Sequence, residues 1–234
     1  MPLSHAEIVR RTALPKATVS RLTTTLVQAG FLRRATCGRE FELGSKQMTI
    51  GQAFIEGSSL LRRATPWMQQ LAERLDASVV LAIGDQFEML YIGYHVSHRI
   101  RGLGLGVGSL VPMGSTAIGR AWLWGLPCMQ QKELIAQLVR NADGQGPTIQ
   151  QGIHDSFAEL ESTGACSMLD GTRPDAYGIA LPLHLGFQRV LIALSCGAVG
   201  TQPDLEAARS RITPELRRAA AQFEASVTDL DGEP

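Results

Sequence analysis

Apolar positions recur at helical spacing through the first quarter of the chain, then switch to the short runs and alternation of strands. Ser4-His5-Ala6-Glu7 fits a capping box ahead of Ile8 and Val9 and predicts a short helix ending near Thr12. Leu14-Pro15 breaks it, and proline suits the first turn of a following helix. From Lys16 to Gln28 the apolar positions Val19, Leu22 and Leu26 are spaced three and four apart, one stripe of an amphipathic helix, with Gly30 as its stop. "FLRRATCGREFELG" then reads as strand, turn, strand.

From Ser45 to about Leu75 the spacing is helical again, interrupted at Gly57-Ser58-Ser59 and at Pro66. This predicts a linker helix over about 46–57 and a second helix ending near Asp76. "ASVVLAIGDQFEMLYIGYHV" is two apolar runs around Gly84-Asp85, a hairpin signal. A glycine-rich stretch follows, and Ser115 or Thr116 can cap a helix through "AIGRAWLWGL". "MQQKELIAQLVRN" reads as another helix, and Thr148 to Gln151 as the cap of a third ending at Gly164. "GIALPLH" and "RVLIALSCG" are buried strands, and Thr201, Pro203 and Asp204 open a last helix to about Val227. Strand pair, helices, strand pair and helix, with no βαβ repeat, predict an α+β domain on an antiparallel sheet.

Composition adds little until charge is followed along the chain. The 234 residues are 44% hydrophobic and 19% charged, with zero formal net charge. From Met1 to Ile50, however, Arg10, Arg11, Lys16, Arg21, Arg33, Arg34, Arg39 and Lys46 face only Glu7, Glu40 and Glu42. A basic module joined to an acidic remainder is the footprint of a polyanion binder; a solvated basic surface is the plainer alternative. The second helix's exposed face carries Lys16, Thr18, Arg21 and Thr25, small donors and cations suited to phosphates and base edges. Helix, turn, helix and basic hairpin is the plan of a winged helix-turn-helix, with Arg33, Arg34 and Arg39 on the wing.

Little points to catalysis. Ser195, Cys166 and Cys196 sit in no nucleophile motif, and His95, His98, His154 and His184 are scattered. Gly102 to Gly108 lacks the spacing and strand-to-helix context of a dinucleotide loop. The four cysteines form no CxxC pair, so neither a disulfide scaffold nor a metal site is expected, and no cofactor is called for. Trp122 and Trp124 read as core or interface. No run is long enough to span a bilayer and the polar start is no signal peptide, so a cytoplasmic protein is expected. A pocket has more support: Gly114, Ser115, Thr116, Ala117 and Gly119 cluster at a helix N-terminus, where amides and dipole favour an anion. Close helix-to-sheet packing would explain the same small residues.

Taken in order, "LPKATVSRLTTTLVQAGFLRR", "FELGSKQMTIG", "GSLVPMGSTAIGRAWL", "GACSMLDGTRPDAYGIALPL" and "VLIALSCG" resemble the IclR family of bacterial transcriptional regulators. The resemblance covers nearly the whole chain. It implies a winged helix-turn-helix (1–45), a dimerising linker helix (46–60) and a GAF-like effector domain (61–234). It also implies double-stranded operator DNA as partner, a small organic acid as effector, and dimers that pair into tetramers. The effector site it implies comprises Ala117, Ile118, Gly119, Met168, Gly178, Ser195 and Gly197. Members that take small keto acids tend to have Asp, Cys and Ser where this chain has Met168, Gly178 and Gly197, so a larger or less polar acid, such as an aromatic one, is expected. The family also has a helix before "SHAEI", which leaves Leu14, Val19, Leu22, Leu26 and Phe31 short of one covering face. The rival readings are a ligand-binding or dimerising module with weak DNA binding, and a small hydrolase or transferase.

Overall fold

The computed structural model describes residues 2–36, 38–100, 102, 104–169, 175–199 and 204–230. Cys37, Leu103, residues 170–174 and Thr201 to Pro203, which the sequence reading touched, lie outside them. The chain divides into two compact units, Met1–Gly57 and Ser58–Pro234.

In the first unit β1 (Leu3–Ser4) leads into α1 (His5–Thr12) and α2 (Lys16–Gln28). The strands β2 (Leu32–Arg34) and β3 (Glu40–Leu43) follow, then α3 (Lys46–Gly57). Ser4 Oγ accepts from the Glu7 amide at 3.2 Å, which is half of the expected capping box. The Glu7 carboxylate turns instead to Arg10 and Arg11, at 2.6 Å each, because a guanidinium is a stronger partner than an amide. Gly30, at φ 80°, closes α2 as expected. The hairpin forms, with β1 added in the order β1-β3-β2, all antiparallel. Two residues carry no period, which is why β1 was not anticipated.

The buried stripe of α2 differs from the expectation. Val19 and Thr23 are buried, whereas Leu22 and Leu26 are 46% and 39% exposed. The Thr23 hydroxyl can be buried because it donates to the Val19 carbonyl one turn back, at 2.8 Å.

The second unit runs α4 (Ser59–Leu75), β4 (Ser78–Asp85), β5 (Glu88–Val96), β6 (Leu110–Pro112), α5 (Ala117–Gly125), α6 (Cys128–Arg140) and α7 (Gly146–Thr163). It continues with β7 (Cys166–Leu169), β8 (Ala176–Leu185), β9 (Val190–Val199) and α8 (Leu205–Ser226). Its six strands pair antiparallel in the order β6-β5-β4-β9-β8-β7. Three local expectations are corrected. The β4–β5 turn is Gln86-Phe87, not Gly84-Asp85, and Asp85 pairs with Glu88. Gly84 stays in the strand because the Trp122 ring fills the space of a Cβ there, 2.6 Å away. The α7 helix starts at Gly146 with Pro147 in its first turn, so Thr148 caps nothing. The α4 helix runs unbroken through Pro66.

Alternation along the strands assigns the two faces. Val80, Ala82, Ala180, Ala193 and Ser195 share one face, which packs on α5 and α7. Val79, Leu81, Ile179, Ile192, Leu194 and Cys196 face α4 and α8, whose Trp67 and Phe223 rings stack at 4.2 Å. Burial on both faces explains the near-continuous apolar runs. No described helix is long and apolar enough to cross a membrane.

Candidate functional site

The structure sorts the cations of the first unit by partner. Arg10 and Arg11 are tied to Glu7, and Arg33 pairs with Glu42 at 3.2 Å. Arg34 donates to the Gly38 carbonyl at 3.1 Å and lies over the Phe41 ring. Lys46 donates to the Ala29 carbonyl and covers Phe31. Lys16, Arg21 and Arg39 have no partner among the described residues. Lys16 and Arg21 are exposed on α2 and Thr18 is half-buried; Thr18 and Arg21 lie on the side away from buried Val19 and Thr23, whereas Lys16 stands at the N-terminal end of the buried stripe. The Thr25 hydroxyl proton goes back to the Arg21 carbonyl at 3.1 Å, so its oxygen is available chiefly as an acceptor. Of the seven residues expected to face DNA, Lys16, Thr18, Arg21 and Arg39 are therefore free, and Thr25, Arg33 and Arg34 are braced within the unit.

In the second unit a cavity opens between the N-terminus of α5 and the sheet. It encloses about 80 Å³, within about 580 Å³ of empty space counted out to its mouth. Met168, Gly178, Ser195 and Gly197 line it from β7, β8 and β9; Val80, Tyr91 and Val111 from β4 to β6; and Ser115 to Ile118 from the start of α5. Six of the seven expected effector residues thus converge on one space. The seventh, Gly119, sits behind the wall, where a Cβ would fall on the Met113 backbone. Its missing side chain lets α5 close on the strand segment before it.

Each wall has a local cause. Thr116 caps α5, accepting from the Gly119 amide at 3.3 Å while donating to the Pro112 carbonyl at 2.7 Å, so its proton is already committed. The first-turn amides of Ala117 and Ile118 have no intrahelical acceptor by position. The Ser115 amide has no acceptor among the described residues. Ser195 is 8% exposed, and its hydroxyl has no partner among the described residues. A Cβ at Gly178 would stand 3.4 Å from Ala117 Cβ and 3.8 Å from Ser195 Oγ, so its absence adds room at the centre of the cavity. At Gly197 a Cβ would meet the Tyr177 carbonyl at 2.5 Å. Glycine there reflects the close approach of β8 and β9. The site is a mostly apolar chamber with free donors in its wall and no carboxylate among the described residues that line it.

Family models match both units. The IclR helix-turn-helix domain covers residues 1–36, and the C-terminal domain of bacterial IclR transcriptional regulators covers 52–225. The chain belongs to the IclR family. Among its IclR relatives, the HTH-type transcriptional regulator TsaQ1/TsaQ2 of Comamonas testosteroni is 25% identical over 96% of this chain and 82% of its own. The Pca regulon regulatory protein of Pseudomonas putida is 27% identical over 93% and 75%. The crystal structure of an IclR-family regulator from Brucella abortus superposes with a TM-score of 0.88 at 27% identity, covering 97% of this chain and 85% of that one. An IclR homologue from Microbacterium hydrocarbonoxydans, crystallised with 4-hydroxybenzoate, has the same fold (TM-score 0.67, 22% identity, 96% and 90% covered).

The protein is thus a transcriptional regulator with a helix-turn-helix domain and a C-terminal effector domain, and the enzyme reading falls. The side chains agree. Burial pushes the Cys166 thiol up to about 12 and the Cys196 thiol further, so both stay protonated and poor nucleophiles. His184 lies against the Gly125 carbonyl at 3.3 Å, and Ser195 has no histidine partner. Trp122 donates to the Leu191 carbonyl and Trp124 packs edge-on against Phe157, both as core. Sequence reasoning missed Val80, Tyr91 and Val111 as cavity walls. Their only signal was that they belong to apolar strands.

Proposed function

We propose that this IclR-family regulator senses an organic acid with an apolar, aromatic-sized body and adjusts its hold on operator DNA in response. One observation carries the reading: the cavity combines unpaired amide donors and the Ser195 hydroxyl with an apolar wall of Val80, Tyr91, Val111, Ile118 and Met168. Donors at a helix start suit a carboxylate. A two- or three-carbon keto acid would leave that wall wetted, and a water-sized group needs only ~10–15 Å³ on this measure, so the chamber accommodates several. The 4-hydroxybenzoate bound by the Microbacterium homologue supports the same class.

On the DNA side, Lys16, Thr18, Arg21 and Arg39 make the direct contacts, with Thr25, Arg33 and Arg34 shaping the helix and wing. The linker helix α3 has no buried residue and exposes Met48, Ile50 and Phe54. An isolated helix of this length is marginal, which supports a homodimer through it, and pairing of dimers on DNA. Such a regulator works beside the chromosome, in the cytoplasm.

Calorimetry with benzoate, 4-hydroxybenzoate, glyoxylate and pyruvate, paired with gel shifts on the promoter DNA adjoining its gene, tests the reading. Binding of an aromatic acid that changes the gel shift is expected. Tight binding of glyoxylate or pyruvate with none of the aromatic acids would overturn it.

A further inference from the structure

Arg120, in the first turn of α5, has no part in the expected site, yet its placement is unusual. Its guanidinium is more than half-buried, and no carboxylate lies within ion-pair distance among the described residues. It spends its donors on neutral oxygens: Nε on the Gly114 carbonyl at 3.0 Å, and Nη1 on the Gly152 carbonyl at 2.8 Å and Ser156 Oγ at 3.2 Å. A Cβ at Gly152 would collide with the guanidinium, so α7 carries a glycine where the arginine crosses it. Burial lowers its pKa from the ordinary value, though a guanidinium stays charged. A largely buried cation whose hydrogen bonds all go to neutral oxygens, with the Asp155 charge acting only from beyond ion-pair distance, is costly, and packing alone would be served by an apolar side chain.

The Gly114 carbonyl indicates what the cation does. The Gly114–Ser115 peptide is trans, so its C=O and N–H point in opposite directions. With the carbonyl drawn toward Arg120 and α7, the Ser115 N–H is turned away from them. Ser115 lines the cavity, and its amide has no acceptor among the described residues. A hydrogen bond from a charged donor also polarises the peptide it holds, strengthening the amide at the other end. The second sign of a ligand here is independent: Ser195, buried and unpartnered, opens into the same chamber from β9.

We propose that Arg120 is a positioning residue for the effector's anionic group: by holding the Gly114 carbonyl, it aims the Ser115 amide into the cavity. It acts through the peptide and does not touch the ligand. This deepens the reading of an organic-acid effector and rests on it.

The test compares Arg120→Gln and Arg120→Lys with the wild type, using benzoate and its neutral analogue benzamide. Arg120→Gln is expected to weaken benzoate binding by about tenfold or more, the scale of one hydrogen bond to a charged group. Benzamide binding should change by less than about twofold, and Arg120→Lys, which can still reach one carbonyl, should recover part of the benzoate loss. In the ligand-free proteins the Ser115 amide resonance should shift in Arg120→Gln, with a preserved thermal melt. Equal losses for benzoate and benzamide would show a merely structural role and overturn the proposal. If the wild type takes neither benzoate nor a longer aryl carboxylate, the acid-effector reading fails. The ligand-free Ser115 resonance then still judges Arg120, because an unmoved resonance refutes the positioning and a shifted one upholds it.

Discussion

Three of the eight cations in the first fifty residues, Lys16, Arg21 and Arg39, stand free, and this division has a consequence measurable on DNA of any sequence. Each phosphate neutralised by a free cation releases condensed counterions and contributes about −0.9 to the slope of log affinity against log salt. Three free cations give a slope of about −2.7 per protomer, and a dimer engaging both modules about −5.4, or roughly a thousandfold loss between about 50 and 200 mM salt. Arg33 and Arg34 are anchored to Glu42, Gly38 and Phe41 and should add much less. A count from the sequence alone would include all five and expect a slope about 1.7 times as steep.

The assay is fluorescence anisotropy on a mixed-sequence duplex across a potassium chloride series. Lys16→Gln, Arg21→Gln and Arg39→Gln should each flatten the slope by about 1 per protomer in contact. Arg33→Gln should leave it within error, since Glu42 loses its partner at the same time. Arg34→Gln should act on wing stability instead of the salt slope. A slope reduced as much by Arg33→Gln as by Arg39→Gln would refute the division into free and braced cations. On a cognate operator Arg21→Ala should cost more, roughly 1–3 kcal/mol if it reads a base edge.

Three further outcomes follow from the same geometry. Gly178→Ala places a Cβ at ordinary contact distance from Ala117 and Ser195, so the melt should hold or rise as the unfolded chain loses freedom while calorimetry shows aromatic-acid binding weakened about tenfold. Gly119→Ala drives a Cβ onto the Met113 backbone and should destabilise by about 1–3 kcal/mol despite alanine's helix preference; an unchanged Tm would refute the close-approach argument. The Arg10 hydrogen bond, with Arg11 behind it, holds the half-buried Glu7 carboxyl down from 4.5 to about 2. Its contribution is therefore full above about pH 4.5 and lost as pH falls toward 2, and Glu7→Gln should flatten the pH dependence of melting of the first unit in that window.

The sequence showed the helices and the paired strands because their apolar periods are long. It failed at short or locally decided features. β1 has two residues, the β4–β5 turn moved because Trp122 claims the space at Gly84, and α7 opens at Gly146 because proline needs no side-chain cap. Leu22 and Leu26 read as core by spacing, but periodicity cannot show whether anything covers a stripe, and they are exposed. In the cavity the order of motifs found Met168, Gly178 and Ser195. Val80, Tyr91 and Val111 were invisible because a strand residue facing a cavity and one facing a core look alike. Arg120 was invisible for the opposite reason: an arginine on a helix reads as surface until its partners prove to be three neutral oxygens.

The chamber also explains why its ligand is harder to read than its family. Its donors are main-chain amides at Ser115, Ala117 and Ile118, with the Ser195 hydroxyl beside them, and the cap of Thr116 and the close approach at Gly119 fix the turn that carries the amides. On the proposed reading these groups hold the effector's charge, and they say nothing about the rest of the molecule. On the same reading the body of the effector is chosen by the rest of the lining, where Met168 adds a flexible apolar surface and Gly178, beside Ala117 and Ser195, leaves out a side chain. Selectivity in such a site is set as much by the side chain missing at 178 as by those present. Refilling that position sets a Cβ 3.4 Å from Ala117 Cβ and 3.8 Å from Ser195 Oγ, so it should change which acids fit without removing a main-chain donor.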